Sequence, residues 1–154
     1  MKRKGASLLY DPGVREPLRS ALERVGDRWS LLIVEALLRS AGPRRWTDLA
    51  EDLPDIAPNV LSERLRRLER DGVVTAQPYS ERPVRLAYDL TAAGRELAGA
   101  LRLLAQWGAD RGARTDLAEP LRHVVCGTPL EARWFCATCG RAVEESEGED
   151  LRYV

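Results

Sequence analysis

Along residues 15–107, apolar positions recur every three or four residues, switch to every second residue, and then return to helical spacing. Leu18, Leu22 and Val25 keep the i, i+4, i+7 interval of one helical face, which predicts a helix over 15–25 broken at Gly26-Asp27. Residues 29–39 are mostly apolar and predict a second helix in the core, closed by the turn Ala41-Gly42-Pro43. Thr47 suits the cap of a short helix through Leu53, because its hydroxyl can accept a free first-turn N–H. Pro54-Asp55 ends that helix. Pro58 opens the next one where its missing N–H costs nothing, and the helix runs to Asp71 and stops at Gly72. Residues 73–78 and 85–90 have the β-branched, alternating character of strands, joined by the polar turn Tyr79-Ser80-Glu81-Arg82-Pro83. Thr91 then caps a helix reaching about Trp107.

The fold class expected is mainly α with a small β wing. Two short helices joined by a tight turn, then a hairpin, form a winged helix-turn-helix, whose second helix can lie in the major groove. Helical geometry lets residues 58–71 do this. At about 100° per residue, Leu61, Leu65 and Leu68 fall within roughly 60° of one another as a core stripe. Asn59, Ser62, Glu63, Arg66 and Arg70 fall on the other side. Asn can pair with adenine, Arg with guanine and Ser with either. Arg64 and Arg67 flank that face and suit phosphates, as do Arg82 and Arg85 in the hairpin region. The competing reading is a solvated face whose arginines are balanced by Glu63, Glu69 and Asp71.

Charge sharpens this only a little. The formal net charge is 0, but residues 144–154 hold five acids against Arg152, so residues 1–143 carry +4. An acidic tail thus hides a mildly basic body. Lys2 and Lys4 are the only lysines among 24 basic residues, a bias that suits bidentate contacts to phosphate and guanine but also follows from a GC-rich genome. No apolar run approaches the ~20 residues of a membrane span, and no apolar segment follows the basic N-terminus, so a cytoplasmic protein is expected.

The order of elements carries a more specific likeness. The segments Ala21-Leu22-Glu23-Arg24-Val25-Gly26-Asp27-Arg28-Trp29-Ser30-Leu31-Leu32-Ile33, Arg45-Trp46-Thr47-Asp48-Leu49, Ile56-Ala57-Pro58-Asn59-Val60-Leu61-Ser62-Glu63-Arg64-Leu65, Leu68-Glu69-Arg70-Asp71-Gly72-Val73-Val74 and Tyr88-Asp89-Leu90-Thr91-Ala92-Ala93-Gly94 together resemble the HxlR-type regulators, relatives of the MarR group. The resemblance implies a homodimer, a recognition helix at about 58–71 and a wing at about 78–85. It implies double-stranded operator DNA as partner; any small-molecule effector is not specified. Members of that family often carry a Cys before the Pro of the first helix, and some use it to sense oxidants. Here Glu16 stands in that place. Leu97, Leu101, Leu104 and Gly108 form a stripe that is either core or, as the resemblance favours, a dimer seam.

The chain then continues for more than forty residues beyond Trp107, and all three cysteines and the single histidine fall there, between 123 and 139. His123-Val-Val-Cys126 and Cys136-Ala-Thr-Cys139-Gly140 are two ligand pairs of equal spacing. Three thiolates and one imidazole fill a tetrahedral zinc site completely, which makes it structural. A Cys-x-x-Cys redox pair is the alternative, without the βαβ pattern such pairs follow; chance proximity is the other. The expected organisation is an arm at 1–14, a winged helix-turn-helix at 15–90, a dimerisation helix at 91–112, and a module at 113–154 with one structural Zn2+ and an acidic tail.

No hydrolase triad, phosphate loop or apolar carboxylate pair is visible, so an enzyme is not expected. Trp29, Trp46, Trp107 and Trp134 are expected as core aromatics. Two further readings remain: a protein-interaction adaptor on a winged scaffold, and a redox or metal sensor acting through the C-terminal cysteines.

Overall fold

Asp27 turns the chain from its first helix into its second. It sits in extended backbone, and its carboxylate accepts hydrogen bonds from the backbone N–H groups of Trp29 and Ser30 at 3.1 and 3.0 Å, capping the free first turn. The Ser30 hydroxyl donates to the same carboxylate at 2.5 Å. A computed structural model of the chain describes residues 16–111, 122–143 and 147. The expected arm at 1–14, the segment 112–121 and the acidic tail apart from Glu147 lie outside the described residues.

Helices α1 (Glu16–Val25), α2 (Arg28–Leu38), α3 (Trp46–Asp52) and α4 (Pro58–Arg70) precede the hairpin of β2 (Val74–Glu81) and β3 (Val84–Leu90). Ahead of α3 lies a two-residue strand, β1 (Arg44–Arg45), and after the hairpin come α5 (Ala92–Glu96) and α6 (Ala98–Arg111). In the C-terminal segment, β4 (Phe135–Cys136) pairs antiparallel with β5 (Arg141–Ala142).

The core forms where the predicted stripes meet. Ile33, Val34 and Leu37 of α2 pack with Leu49 of α3, with Leu61, Leu65 and Leu68 of α4, and with Val73, Val74 and Leu90 around the hairpin. Each such burial contributes about 1.5–3 kcal/mol, and the three α4 leucines alone fix which side of that helix faces solvent.

Four details differ from expectation. Thr47 lies inside α3 rather than capping it; instead the Arg45 N–H donates to Asp48 Oδ2 at 2.9 Å, the reciprocal half of a capping box. Arg44 and Arg45 pair with Tyr88 and Ala87, so the sheet has three antiparallel strands in the order β1-β3-β2. The expected turn 79–83 is mostly strand: β2 continues to Glu81 past an irregularity between Pro78 and Ser80, leaving Arg82-Pro83 as the tip. The predicted last helix is interrupted at Leu97, whose N–H bonds back to Gly94 O at 3.3 Å before α6 resumes.

Candidate functional site

On α4 the exposed and buried sides separate as the stripe demands. Asn59, Glu63, Arg66 and Arg70 are exposed opposite the buried leucines, and among the described residues neither Arg66 nor Arg70 forms an ion pair or a hydrogen bond. Ser62 is half-buried: its hydroxyl donates to Pro58 O at 2.9 Å and accepts the Trp46 indole N–H at 3.1 Å, which ties α3 to α4. Helix α4 is thus locked to its partner helix while one polar side stays open.

Arg64 and Arg67, expected at phosphates, are engaged within the chain. Arg64 Nε is buried and lies 3.1 Å from Asp27 Oδ1, a charge contact rather than an aligned hydrogen bond, and its Nη1 lies 3.3 Å from Glu63 Oε1. Arg67 donates to the backbone carbonyl of Glu23 in α1 and lies near Asp71. Both therefore brace α4 against the helices behind it. Burial alone would raise the Asp27 carboxyl, but the Ser30 hydroxyl, the Ser30 and Trp29 N–H groups and the Arg64 charge more than offset it, and its pKa falls below the ordinary value.

Arg82 and Arg85 are exposed at the hairpin tip, with no ion pair among the described residues. Two cationic positions escaped the sequence reading. Arg45 holds its guanidinium 4.8 Å from the ring centroid of exposed Tyr79, joining the start of α3 to the wing. Arg44 pairs with Asp52 at 2.8 Å. The Arg45–Tyr79 contact joins residues 34 positions apart, so no local pattern signals it.

A second exposed surface is apolar. Leu18 and Leu22 of α1 are 65% and 55% exposed, and Leu104 and Trp107 of α6 are 51% and 57% exposed. The expected stripe of the last helix therefore divides: Leu97 and Leu101 pack on the core, and Leu104 does not. A groove of about 260 Å³ runs beside α1, lined by Pro17, Ala21, Val25 and Leu97 together with the polar Ser20 and Arg24. Of the four tryptophans, Trp29 and Trp46 pack on the core, whereas Trp107 and Trp134 are largely exposed.

In the C-terminal segment the two ligand pairs form separately. His123 Nδ1 lies 3.2 Å from Cys126 Sγ, and the Cys136 and Cys139 thiols interact with each other. Among the described residues no three His, Cys, Asp or Glu side chains stand close enough to share one ion. Thr128, through its hydroxyl and its N–H, and His123 stabilise the Cys126 thiolate and bring its pKa to about 7. The N–H groups of Cys139 and Thr138 lower that of Cys136, whereas the neighbouring Cys136 raises that of Cys139.

A locked helix pair with one open polar face, flanked by a two-stranded wing, defines the winged helix-turn-helix class of DNA-binding transcription regulators. Comparison with known proteins agrees. The family model for the HxlR-like helix-turn-helix matches residues 24–116, more than half the chain, and the protein belongs to that family. The HTH-type transcriptional regulator Rv3095 of Mycobacterium tuberculosis, itself uncharacterised, is 42% identical over 132 residues, covering 83% of this chain and 80% of that protein. The crystal structure of PA1607, described as a candidate transcription factor, superposes with a TM-score of 0.73 at 30% identity over 92% of this chain and 98% of its own. The redox regulator HypR, in its oxidised form, gives a TM-score of 0.56 at 27% identity over 62% of this chain and 97% of its own. This chain is a transcriptional regulator of the helix-turn-helix type, and no described helix is long and apolar enough to cross a membrane.

Proposed function

We propose that this regulator binds a pseudo-palindromic operator as a homodimer in the cytoplasm, with α4 in the major groove and the β2–β3 tip on the backbone. The observation that carries the reading is the open face of α4. Asn59, Arg66 and Arg70 project there, with no ion pair among the described residues, while the buried leucines and the Asp27–Arg64 contact hold the helix rigid. Base readers suit Asn59, Ser62, Arg66 and Arg70; Arg82 and Arg85 suit phosphates. Arg64 and Arg67 are assigned to bracing α4, with any phosphate contact secondary.

Fluorescence anisotropy with specific and scrambled duplexes at several salt concentrations tests this. Arg66→Ala should cost about 1–3 kcal/mol on the specific site and little on the scrambled one. Arg82→Ala or Arg85→Ala should weaken both duplexes alike and reduce the salt slope by about one. A chain with no salt-dependent duplex binding would instead be the interaction adaptor, since phosphate neutralisation is what makes binding steep in salt.

The uncovered leucines of α1 and α6 support the dimer. Burying them against a second copy removes from water an apolar surface that the monomer leaves wet. Leu22→Glu should leave the helical circular-dichroism signal intact but yield a monomer by light scattering, with operator binding weakened because the second half-site no longer gains from linkage. A Leu22→Glu protein that stays dimeric would place the seam elsewhere. As for redox control, the family position occupied by Glu16 holds no thiol, and all three cysteines lie at 126–139. An oxidant signal could start only there.

A further inference from the structure

The segment 122–143 contains not one buried residue. Val124 and Val125 are 97% and 87% exposed, and Leu130, Trp134 and Phe135 stand in solvent with them. A unit this short cannot stabilise itself by apolar burial; below roughly 40 residues a metal, disulfide or partner is needed. Its backbone is nevertheless ordered in one repeated way. In His123–Gly127 the Gly127 N–H donates to His123 O at 2.7 Å, and in Cys136–Gly140 the Gly140 N–H donates to Cys136 O at 2.9 Å. Both turns close on a glycine with φ near +70°, at +69° and +68°, a conformation L side chains rarely adopt. Each turn sets its two soft donors side by side: His123 Nδ1 beside Cys126 Sγ, and Cys136 beside Cys139.

Two matching turns of this kind each present half a tetrahedron. We propose that His123, Cys126, Cys136 and Cys139 together hold one Zn2+ per chain, and that the ion draws the two turns together into the module's missing core. Three thiolates and a neutral imidazole exhaust a four-coordinate shell and leave no open position, so the site is structural. Short antiparallel contacts flank both turns, Arg122 with Pro129 and β4 with β5. Ion binding then supplies the folding energy of the module, independently of DNA binding by the winged domain.

The test uses the full-length chain purified without chelator. Elemental analysis should give about one zinc per chain, and Co2+ replacement should produce the visible bands of a tetrahedral thiolate site. Cys139→Ser should reduce zinc to under about a tenth per chain, while Val124→Ser, which alters an exposed non-ligand in the other turn, should keep it near one. Chelation should raise amide exchange across 122–143 and leave 16–111 protected. No zinc in the wild type, even after Zn2+ titration, with three freely reacting thiols, overturns the proposal. So does full occupancy in Cys139→Ser, half a zinc per chain, or a Cys136–Cys139 disulfide as the isolated form.

Discussion

Asp27→Ala should lower the unfolding free energy of the winged domain by about 2–3 kcal/mol and loosen α4 at the same time. Loss of the α2 cap accounts for about 1 kcal/mol. The remainder comes from Arg64, whose buried Nε loses the Asp27 carboxylate beside it and keeps only Glu63 at its far end. Asp27→Asn should recover the cap and not the charge, and so fall between the two. The sign of the pH effect follows from the depressed Asp27 pKa. Its stabilisation is complete above the ordinary carboxylate range and is lost as pH falls below about 4, through the lower folded value. Urea melts at pH 7 and across pH 2–5 measure both effects. An Asp27→Ala loss under about 0.5 kcal/mol, or an acid limb unchanged in Asp27→Asn, would remove Asp27 from this role.

Gly94→Ala is the second large effect, and intuition gives it the wrong sign. Alanine in a helix should gain up to about 1 kcal/mol over glycine. At this position a Cβ would stand 2.2 Å from Val73 O and 3.0 Å from Leu90 Cδ2. The oxygen is backbone, and it already accepts the Thr91 N–H at 3.0 Å and the Thr91 hydroxyl at 3.1 Å. Thr91 in turn caps α5 by accepting the Gly94 N–H at 3.1 Å. Relief of the clash must therefore push α5 off the hairpin and break that joint, at a net cost of about 2–3 kcal/mol. Thermal melts should show a drop of about 6–15 °C. A neutral or raised melting temperature would mean that the helix start can slide away freely.

Sequence patterning captured what burial dictates and lost what long-range contact dictates. Helix α4 was legible because Leu61, Leu65 and Leu68 recur at helical spacing and all three are buried. Strand β1 was invisible, since two arginines carry no alternation and become a strand only by pairing with Tyr88 and Ala87. The outer half of β2 was read as a turn because the wing tip is exposed on both faces, which erases the period of two. Arg64 and Arg67 show a different limit. Helical geometry places their Cα atoms beside the open face, but long side chains can reach backward, one to Asp27 and one to Glu23 O, 44 residues away. In the C-terminal segment spacing gave the pairs, and local turn geometry agrees with them. Spacing does not encode whether the two pairs meet, and among the described residues they stand apart.

The Trp46–Ser62 contact limits what Ser62 can offer a base in the proposed complex. A serine hydroxyl has one proton and two lone pairs. Here the proton is committed to Pro58 O and one lone pair to the Trp46 indole, which leaves a single lone pair uncommitted. With α4 in a major groove, Ser62 is thereby an acceptor only. It can meet the amino edge of adenine or cytosine, and it presents nothing to the carbonyl edge of guanine or thymine. A residue type that is usually ambivalent has been given one grammatical gender by a tryptophan sixteen positions away.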